Sequence, residues 1–238
     1  MATFTTSDGA SLFYRLEGEG APLLLLNGLF GDAAFWDPVA AFLREQRRCI
    51  LLDHLGIDAA PVLGLCHGGM VGATMALSHP GRVGGLVCHG TRLLESAKTR
   101  VYDKFRRRLL DIGGVELMMS AQMGSLFGEA SMVEVEPHVG KMSAGAIDRM
   151  DAASAGPMLD ALIGFAMDPL DIARMSIPAL FLAGEEDLYT PPWMVERTAR
   201  LWPGARFQVL PNVAHIVPRE APADLARLTL QFLSDNGI

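Results

Sequence analysis

The stretch Pro61-Val62-Leu63-Gly64-Leu65-Cys66-His67-Gly68-Gly69 constrains this chain more than any other. A short apolar run enters a Gly-x-Cys-x-Gly turn, and a helical pattern runs on from about Gly68 to Ser78, closed by Pro80. A side chain held between a strand end and a first helical turn needs a bend tight enough to exclude bulk on either side. Gly64, Gly68 and additionally Gly69 meet that need. Cys66 then stands clear of the backbone at the positive end of a helix dipole, a setting that suits a nucleophilic sulfur. The alternative is a small buried Cys beside a helix packed through its glycines.

Strand-sized apolar runs alternate with amphipathic segments through most of the chain, the pattern of a mostly parallel sheet covered by helices. Strands are expected at 22–27, 61–65, 83–89, 177–183 and 205–210, with a closing helix over 221–233. Asp8-Gly9, between Thr3-Phe4 and Ser11–Leu16, reads as a hairpin turn. From 92 to 170 the strand signal vanishes and Met becomes dense, which points to a helical insertion. Its methionines serve as adaptable core or line an apolar pocket. The expected organisation is an α/β core over 1–91 and 171–238, with 92–170 inserted.

The chain has 238 residues, half of them hydrophobic, with 27 acidic against 20 basic side chains and a net charge of −7. That balance argues against a nucleic-acid partner. Arg100, Lys104, Arg106, Arg107 and Arg108 read as a solvated helix face. No apolar run approaches the roughly 20 residues that span a bilayer, so no membrane partner is expected. Met1–Gly9 lacks the look of a secretory signal and three Cys cannot build a disulfide framework, so the expectation is a cytoplasmic protein. Gly18-Glu19-Gly20 precedes a strand rather than a helix and is no dinucleotide loop. His54, His79, His89 and His138 lack ligand spacing. Neither metal nor cofactor is expected, and Cys49 and Cys88 read as buried apolar residues. The sequence leaves room for a homodimer.

A nucleophile needs a base, and the base needs an orienting group. Asp187 follows the strand Ile177–Ala183 in Ala183-Gly184-Glu185-Glu186-Asp187, with Glu185 and Glu186 as rival acids. His215 follows the next strand and precedes the last helix. The order nucleophile, acid, histidine belongs to one class of hydrolases. An oxyanion would require two preorganised N–H donors, and His67 and Leu29 are the candidates. Leu29 lies in Asn27-Gly28-Leu29-Phe30-Gly31, a Gly-rich turn that can also be read as an ordinary strand-to-helix loop.

These segments together resemble the α/β-hydrolase superfamily over nearly the whole chain. Asn27–Gly31 is similar to its H-G-x-x-G oxyanion loop, with Asn27 in place of the usual His. GLCHGGMVGATMALSHPGRVGGLVCHG, IPALFLAGEEDLYTPP and LPNVAHIVPREAPADLARLTLQFL resemble its nucleophile elbow, acid strand and histidine loop. Within the family the likeness is to 3-oxoadipate enol-lactonase-like hydrolases. The resemblance implies Cys66 as nucleophile, Asp187 as acid, His215 as base, and Leu29 and His67 as oxyanion donors. It also makes 92–170 a cap over a small-molecule acyl pocket, with Asn27, Phe30, Trp36, Met123 and Ile216 as expected lining.

Two departures stand out. The usual nucleophile of the family is Ser, and Cys suits activated acyl donors: esters, lactones and thioesters. Second, family members place a strand, a loop and a long helix between the oxyanion-loop helix and the elbow strand, where this chain has only Arg47–Ala60. A parallel crossover takes about a dozen residues. One resolution makes 37–55 mostly helical, joining 22–27 directly to 61–65. A second has the polypeptide carry residues that this sequence omits, and a third has a swapped dimer supply the strand. The expected activity is hydrolysis through a Cys-His-Asp triad and a thioacyl intermediate. The alternatives are an acyltransferase or thioesterase acting on a carrier-bound acyl group, and a ligand-binding relative with weak turnover.

Overall fold

The computed structural model describes residues 2–5, 11–28, 33–52, 60–147 and 152–238. Its strands are β1 (Ala2–Thr5), β2 (Ser11–Glu17), β3 (Pro22–Leu26), β4 (Arg48–Leu52), β5 (Ala60–Leu65), β6 (Val83–His89), β7 (Ala179–Gly184) and β8 (Arg206–Leu210). Helices α1 (Asp37–Leu43) and α2 (His67–Ser78) lie among the first strands. Next come α3 (Ala97–Leu126), α4 (Glu129–Val135), α5 (Val139–Ile147), α6 (Ala152–Gly164) and α7 (Pro169–Ala173). The chain closes with α8 (Pro192–Ala199), α9 (Val217–Glu220) and α10 (Pro222–Asp235).

The strands form one sheet in the order β1-β2-β4-β3-β5-β6-β7-β8. The β1–β2 and β2–β4 pairings are antiparallel and the others parallel. Side chains alternate across it: Leu23 and Leu25 pack with α1 and α10 on one face, Leu24 and Leu26 with α2 and α8 on the other. Burial on both faces explains why these strands read as continuous apolar runs. At roughly 25 cal/mol per Å² of apolar surface, this two-sided core is the main force holding the fold together.

The expected strands and closing helix form within a few residues of their sequence-based bounds, and β1 and β2 pair antiparallel. The Asp8-Gly9 turn lies outside the described residues. One expectation is overturned. Residues 37–43 are helical, but 48–52 is a strand, so 37–55 is not a helical bridge. The reason is hydrogen bonding: β4 sits between β2 and β3 and pairs along both edges. A helix there would leave two buried strand edges unsatisfied. Residues 53–59, which connect β4 to β5, lie outside the described residues.

Between β6 and β7 the described residues are helical or irregular, without a strand. The long helix α3 kinks at Gly113-Gly114, where the backbone leaves helical values. Its second half, with α5 and α6, lies over the end of the sheet where β5 meets α2. The expected solvated face of α3 is corrected at one position. Lys104 and Arg108 are exposed, but Arg106 is buried, because Thr99, Asp103, Arg106 and Leu110 recur at helical spacing and form the inward face.

Candidate active site

Cys66 joins β5 to α2 with φ 49° and ψ −107°, outside the regions of strand and helix alike. Such a conformation costs on the order of 1–3 kcal/mol and must be enforced by its surroundings. A Cβ on Gly64 would lie 2.5 Å from the Gly69 nitrogen, and one on Gly68 2.1 Å from the Leu26 carbonyl oxygen. The turn therefore closes only with glycine at both positions. The Cys66 N–H donates to the His89 carbonyl (3.0 Å), and its own carbonyl accepts from Met70 N–H (3.2 Å) and Thr91 Oγ1 (3.2 Å). His67 heads the helix immediately after it, with a ring that burial holds towards the neutral form.

Asp187 lies three residues beyond β7 and is fully saturated with donors. Its Oδ1 accepts the N–H groups of Tyr189 (2.9 Å) and Thr190 (2.8 Å). Its Oδ2 accepts Thr190 Oγ1 (2.7 Å) and His215 Nδ1 (2.7 Å). Burial alone would raise the carboxyl pKa, but the charge of His215 and these hydrogen bonds carry it below the ordinary value. For His215 burial pulls downward, and the Asp187 charge and hydrogen bond, joined by Cys66, push the imidazole up to about 10. With Nδ1 given to Asp187, the other ring nitrogen is left for a second partner, and Cys66 is near enough to add to the upward shift of the imidazole.

The rival acids have other work. Glu185 accepts from Asn212 N–H (3.2 Å) and Glu186 from Glu129 N–H (2.6 Å). Glu220 gathers the N–H groups of Ala214 (3.2 Å), Ile216 (3.1 Å) and Gly128 (2.7 Å), which shapes the histidine loop and ties it to the helical segment. The carbonyl at the end of α3, that of Leu126, accepts from His215 N–H (3.0 Å) and Ile216 N–H (3.2 Å). His89 is also buried nearby; burial, then the charge of His215, take its pKa down to about 3 and keep it neutral. Among the described residues no group of side chains could hold a metal ion, and no helix is long and apolar enough to cross a membrane.

Cys66 and His215 open onto a cavity of about 490 Å³. Gly28, Leu65, Tyr189 and Ile216 form its sheet side; Met119, Met123, Leu126, Met142 and Leu162 form its helical side. Of the expected lining residues, Met123 and Ile216 are in the wall. Asn27 is only half-buried and sits behind, its carbonyl against Gly68, while its neighbour Gly28 faces the cavity. Trp36 is corrected: it is fully buried in the core with Val39 and Leu43, and Phe35, edge-on to it at 5.9 Å, supplies the wall instead. Leu29 and Phe30 lie outside the described residues.

Thr190, Tyr189, Glu220 and Arg106 escaped the reading of the sequence. Asp187-x-x-Thr190 carries a usable signal, since an Asp whose carboxylate caps the next two or three backbone N–H groups is a recognised turn former. Glu220 carries none, because its three partners converge only in space.

A strained, glycine-flanked turn from strand to helix, a carboxylate after one later strand and a histidine after the next, on a mostly parallel sheet, define a class of protein. The chain belongs to the α/β-hydrolase family, whose model matches residues 51–222. It is 25% identical to a protein of Azorhizobium caulinodans provisionally named carbamate hydrolase RutD, with 95% of this chain and 96% of the relative covered. That alignment runs over 257 positions, more than the 238 residues of this chain, so the relative has residues with no counterpart here. A solved hydrolase of Pseudomonas aeruginosa superposes with a TM-score of 0.84 at 26% identity, covering 98% of this chain and 97% of that one. The enol-lactonase of Burkholderia xenovorans shares the fold, with a TM-score of 0.82 at 20% identity over 98% of this chain and all of the other.

Proposed function

We propose that this protein is a hydrolase that cleaves esters, lactones or thioesters through Cys66, His215 and Asp187. The observation that carries the reading is the 2.7 Å pair between Asp187 and His215, closed against a cysteine held in a strained turn at the cavity wall. The names of the relatives, carbamate hydrolase and enol-lactonase, support attack on an activated carbonyl and extend the acyl donors to carbamates.

Cys66 Sγ bonds to the substrate carbonyl carbon with its proton resting on His215, whose raised pKa keeps it on the imidazole. The N–H of His67, with that of Leu29, receives the developing oxyanion. The carbonyl re-forms as the bond to the leaving oxygen or sulfur breaks, and His215 passes its proton to the departing group. Water then attacks the thioester, gives a proton to His215, and releases the acid as Sγ departs. Asp187 fixes the imidazole orientation and balances its charge throughout.

In this reading residues 92–170 are a cap that keeps water from the acyl group. The protein works with a small-molecule substrate and without a metal or cofactor. Cys66→Ala is expected to lower kcat on a p-nitrophenyl ester by about 10⁴-fold with the thermal midpoint near that of the parent. Undiminished turnover in purified Cys66→Ala protein contradicts the assignment.

A further inference from the structure

One side chain in the cavity wall has its hydrogen bonding half complete. Besides Cys66 and His215, the uncharged polar side chains that line the cavity among the described residues are Tyr189 and Gln122. The Tyr189 hydroxyl is committed, donating to Asp103 Oδ1 at 2.9 Å. Gln122 lies in the second half of α3 and is only 3% exposed. Its Nε2 donates to the sulfur of Met119, one turn earlier, at 2.7 Å. A thioether accepts and cannot donate, which fixes the end of the amide that faces it. The carbonyl end is left over: among the described residues no donor reaches Gln122 Oε1, and the atom is not sealed inside the protein. In a side chain this buried, that acceptor opens on the cavity.

The amide is also fixed in position relative to His215. Ser125 Oγ donates to the main-chain carbonyl of Gln122 (2.7 Å), and with that proton spent, Tyr102 Oη is the donor in its own 2.7 Å contact with Ser125 Oγ. This bond spans the Gly113-Gly114 kink and ties the two halves of α3 together. The Tyr102 ring packs on Tyr189 at 5.4 Å, and Tyr189 packs edge-on against the His215 imidazole at 5.2 Å. Contacts thus run without a break from Gln122 to His215. An acceptor held in this way loses little freedom when a ligand meets it, and it selects by geometry as well as by chemistry. Charge narrows the donor that fits. The wall contains Arg106, Lys141 and Arg219 and, among the described residues, no Asp or Glu, so an ammonium is repelled and an uncharged N–H or O–H remains.

Resting on the hydrolase reading above, we propose that the substrate carries an uncharged hydrogen-bond donor, an N–H or O–H, in its acyl part beyond the scissile carbonyl, and that Gln122 Oε1 accepts it. Such a substrate exchanges a hydrogen bond to water for one to the protein. A substrate with hydrocarbon at that place covers the amide oxygen and leaves it unpaired, and the site discriminates against it. Met119, Met123 and Leu162 supply apolar surface for the chain that connects donor and carbonyl.

The test uses p-nitrophenyl esters in matched pairs over a series of spacer lengths: ω-acetamido against ω-(N-methylacetamido) acyl chains, and ω-hydroxy against ω-methoxy chains. Within each pair only one ester can donate. At the spacer that reaches Gln122, kcat/KM for the donor-bearing ester is expected to be about tenfold that of its blocked partner in at least one pair, and the pair that shows it distinguishes N–H from O–H. Gln122→Met, which keeps the length of the side chain without its amide, is expected to bring that ratio to about one, chiefly through KM. Met119→Leu, which takes away the thioether that orients the amide, is expected to lower the ratio about two- to threefold. A parent ratio near one at every spacer in both pairs overturns the proposal, as does a ratio unmoved in Gln122→Met, which would make the preference steric. If Gln122→Met does not fold, Met119→Leu decides by the same ratio. If the parent cleaves none of the esters, the acyl chemistry has failed and the acceptor site is read separately. N-hexylacetamide is then expected to raise the thermal midpoint of the parent more than N-hexyl-N-methylacetamide does, or 1-hexanol more than 1-methoxyhexane, by a margin that Gln122→Met erases or, where that variant is unfolded, Met119→Leu narrows. Equal shifts within both pairs overturn the site.

Discussion

The two walls of the cavity are built by opposite rules. On the sheet side the candidate residues are held largely through main-chain groups: Cys66 by its bonds to the carbonyl of His89 and the N–H of Met70, Asp187 by two N–H groups, and the histidine loop by the N–H groups it gives to Glu220. There is no slack, and a single carbon at Gly68 would meet backbone at 2.1 Å. On the helical side much of the wall is flexible methionine, Met119, Met123 and Met142, and away from the cavity the exposed Gly124 of α3 has nothing within 4 Å of where a Cβ would stand. The contrast teaches that the arrangement of Cys66, His215 and Asp187 is invested in backbone, and the shape of the cavity in side chains that can repack.

Several substitutions would break or sharpen that contrast. The largest stability effect is expected for Gly68→Ala, which should cost about 3 kcal/mol or prevent folding, because the neighbour that must yield is strand backbone. Urea unfolding measures it, and a loss under 1 kcal/mol would mean that the elbow is not sterically enforced.

Next comes pH. The folded pKa of His215, about 10, lies above its ordinary 6.5, so its contribution is complete below pH 6.5 and fades as pH rises through 10. That of Asp187 is depressed from 3.8, so its contribution is present above that value and fades as pH falls below it. The thermal midpoint of the parent minus that of Asp187→Asn is therefore expected to be greatest between about pH 4 and 6.5 and to narrow towards pH 10. A difference that widens with pH would contradict the pairing.

On the helical side Met123→Leu is expected to change kcat/KM less than tenfold and stability by less than about 1.5 kcal/mol, since volume is nearly conserved. A shift in preference among acyl chain lengths would sharpen the role of the helices in selection. The smallest effect is expected for Gly124→Ala, a gain of about 0.5–1 kcal/mol from helix propensity, visible as a rise of a few degrees in thermal midpoint.

The same contrast explains what could be read from the sequence. Gly64, Cys66 and Gly68 were legible because steric exclusion leaves a local pattern, and Asp187 and His215 because each follows a strand with a strong apolar signature. The strand β6 reads directly from Val83–His89 for the same reason. Arg48–Leu52 resisted because a strand there leaves too few residues before Pro61 for an ordinary parallel crossover, whereas its strand character comes from the two edges it pairs with. Trp36 was ambiguous because an aromatic after a turn serves core and pocket equally, and only packing against Val39 and Leu43 decides. Arg106 was hidden inside a basic run, and its inward phase emerges only when Thr99, Asp103 and Leu110 are placed on the same helical face.

The most direct test of the central claim, that the sheet-side wall places Cys66 for covalent attack, is a rapid-quench experiment. Protein mixed with a p-nitrophenyl ester is stopped in acid, weighed intact and mapped by peptide mass. The account predicts one acyl group on the peptide bearing Cys66, accumulating during the burst of p-nitrophenol and absent from Cys66→Ala. Acylation of another residue, or an unchanged burst in Cys66→Ala, would contradict it.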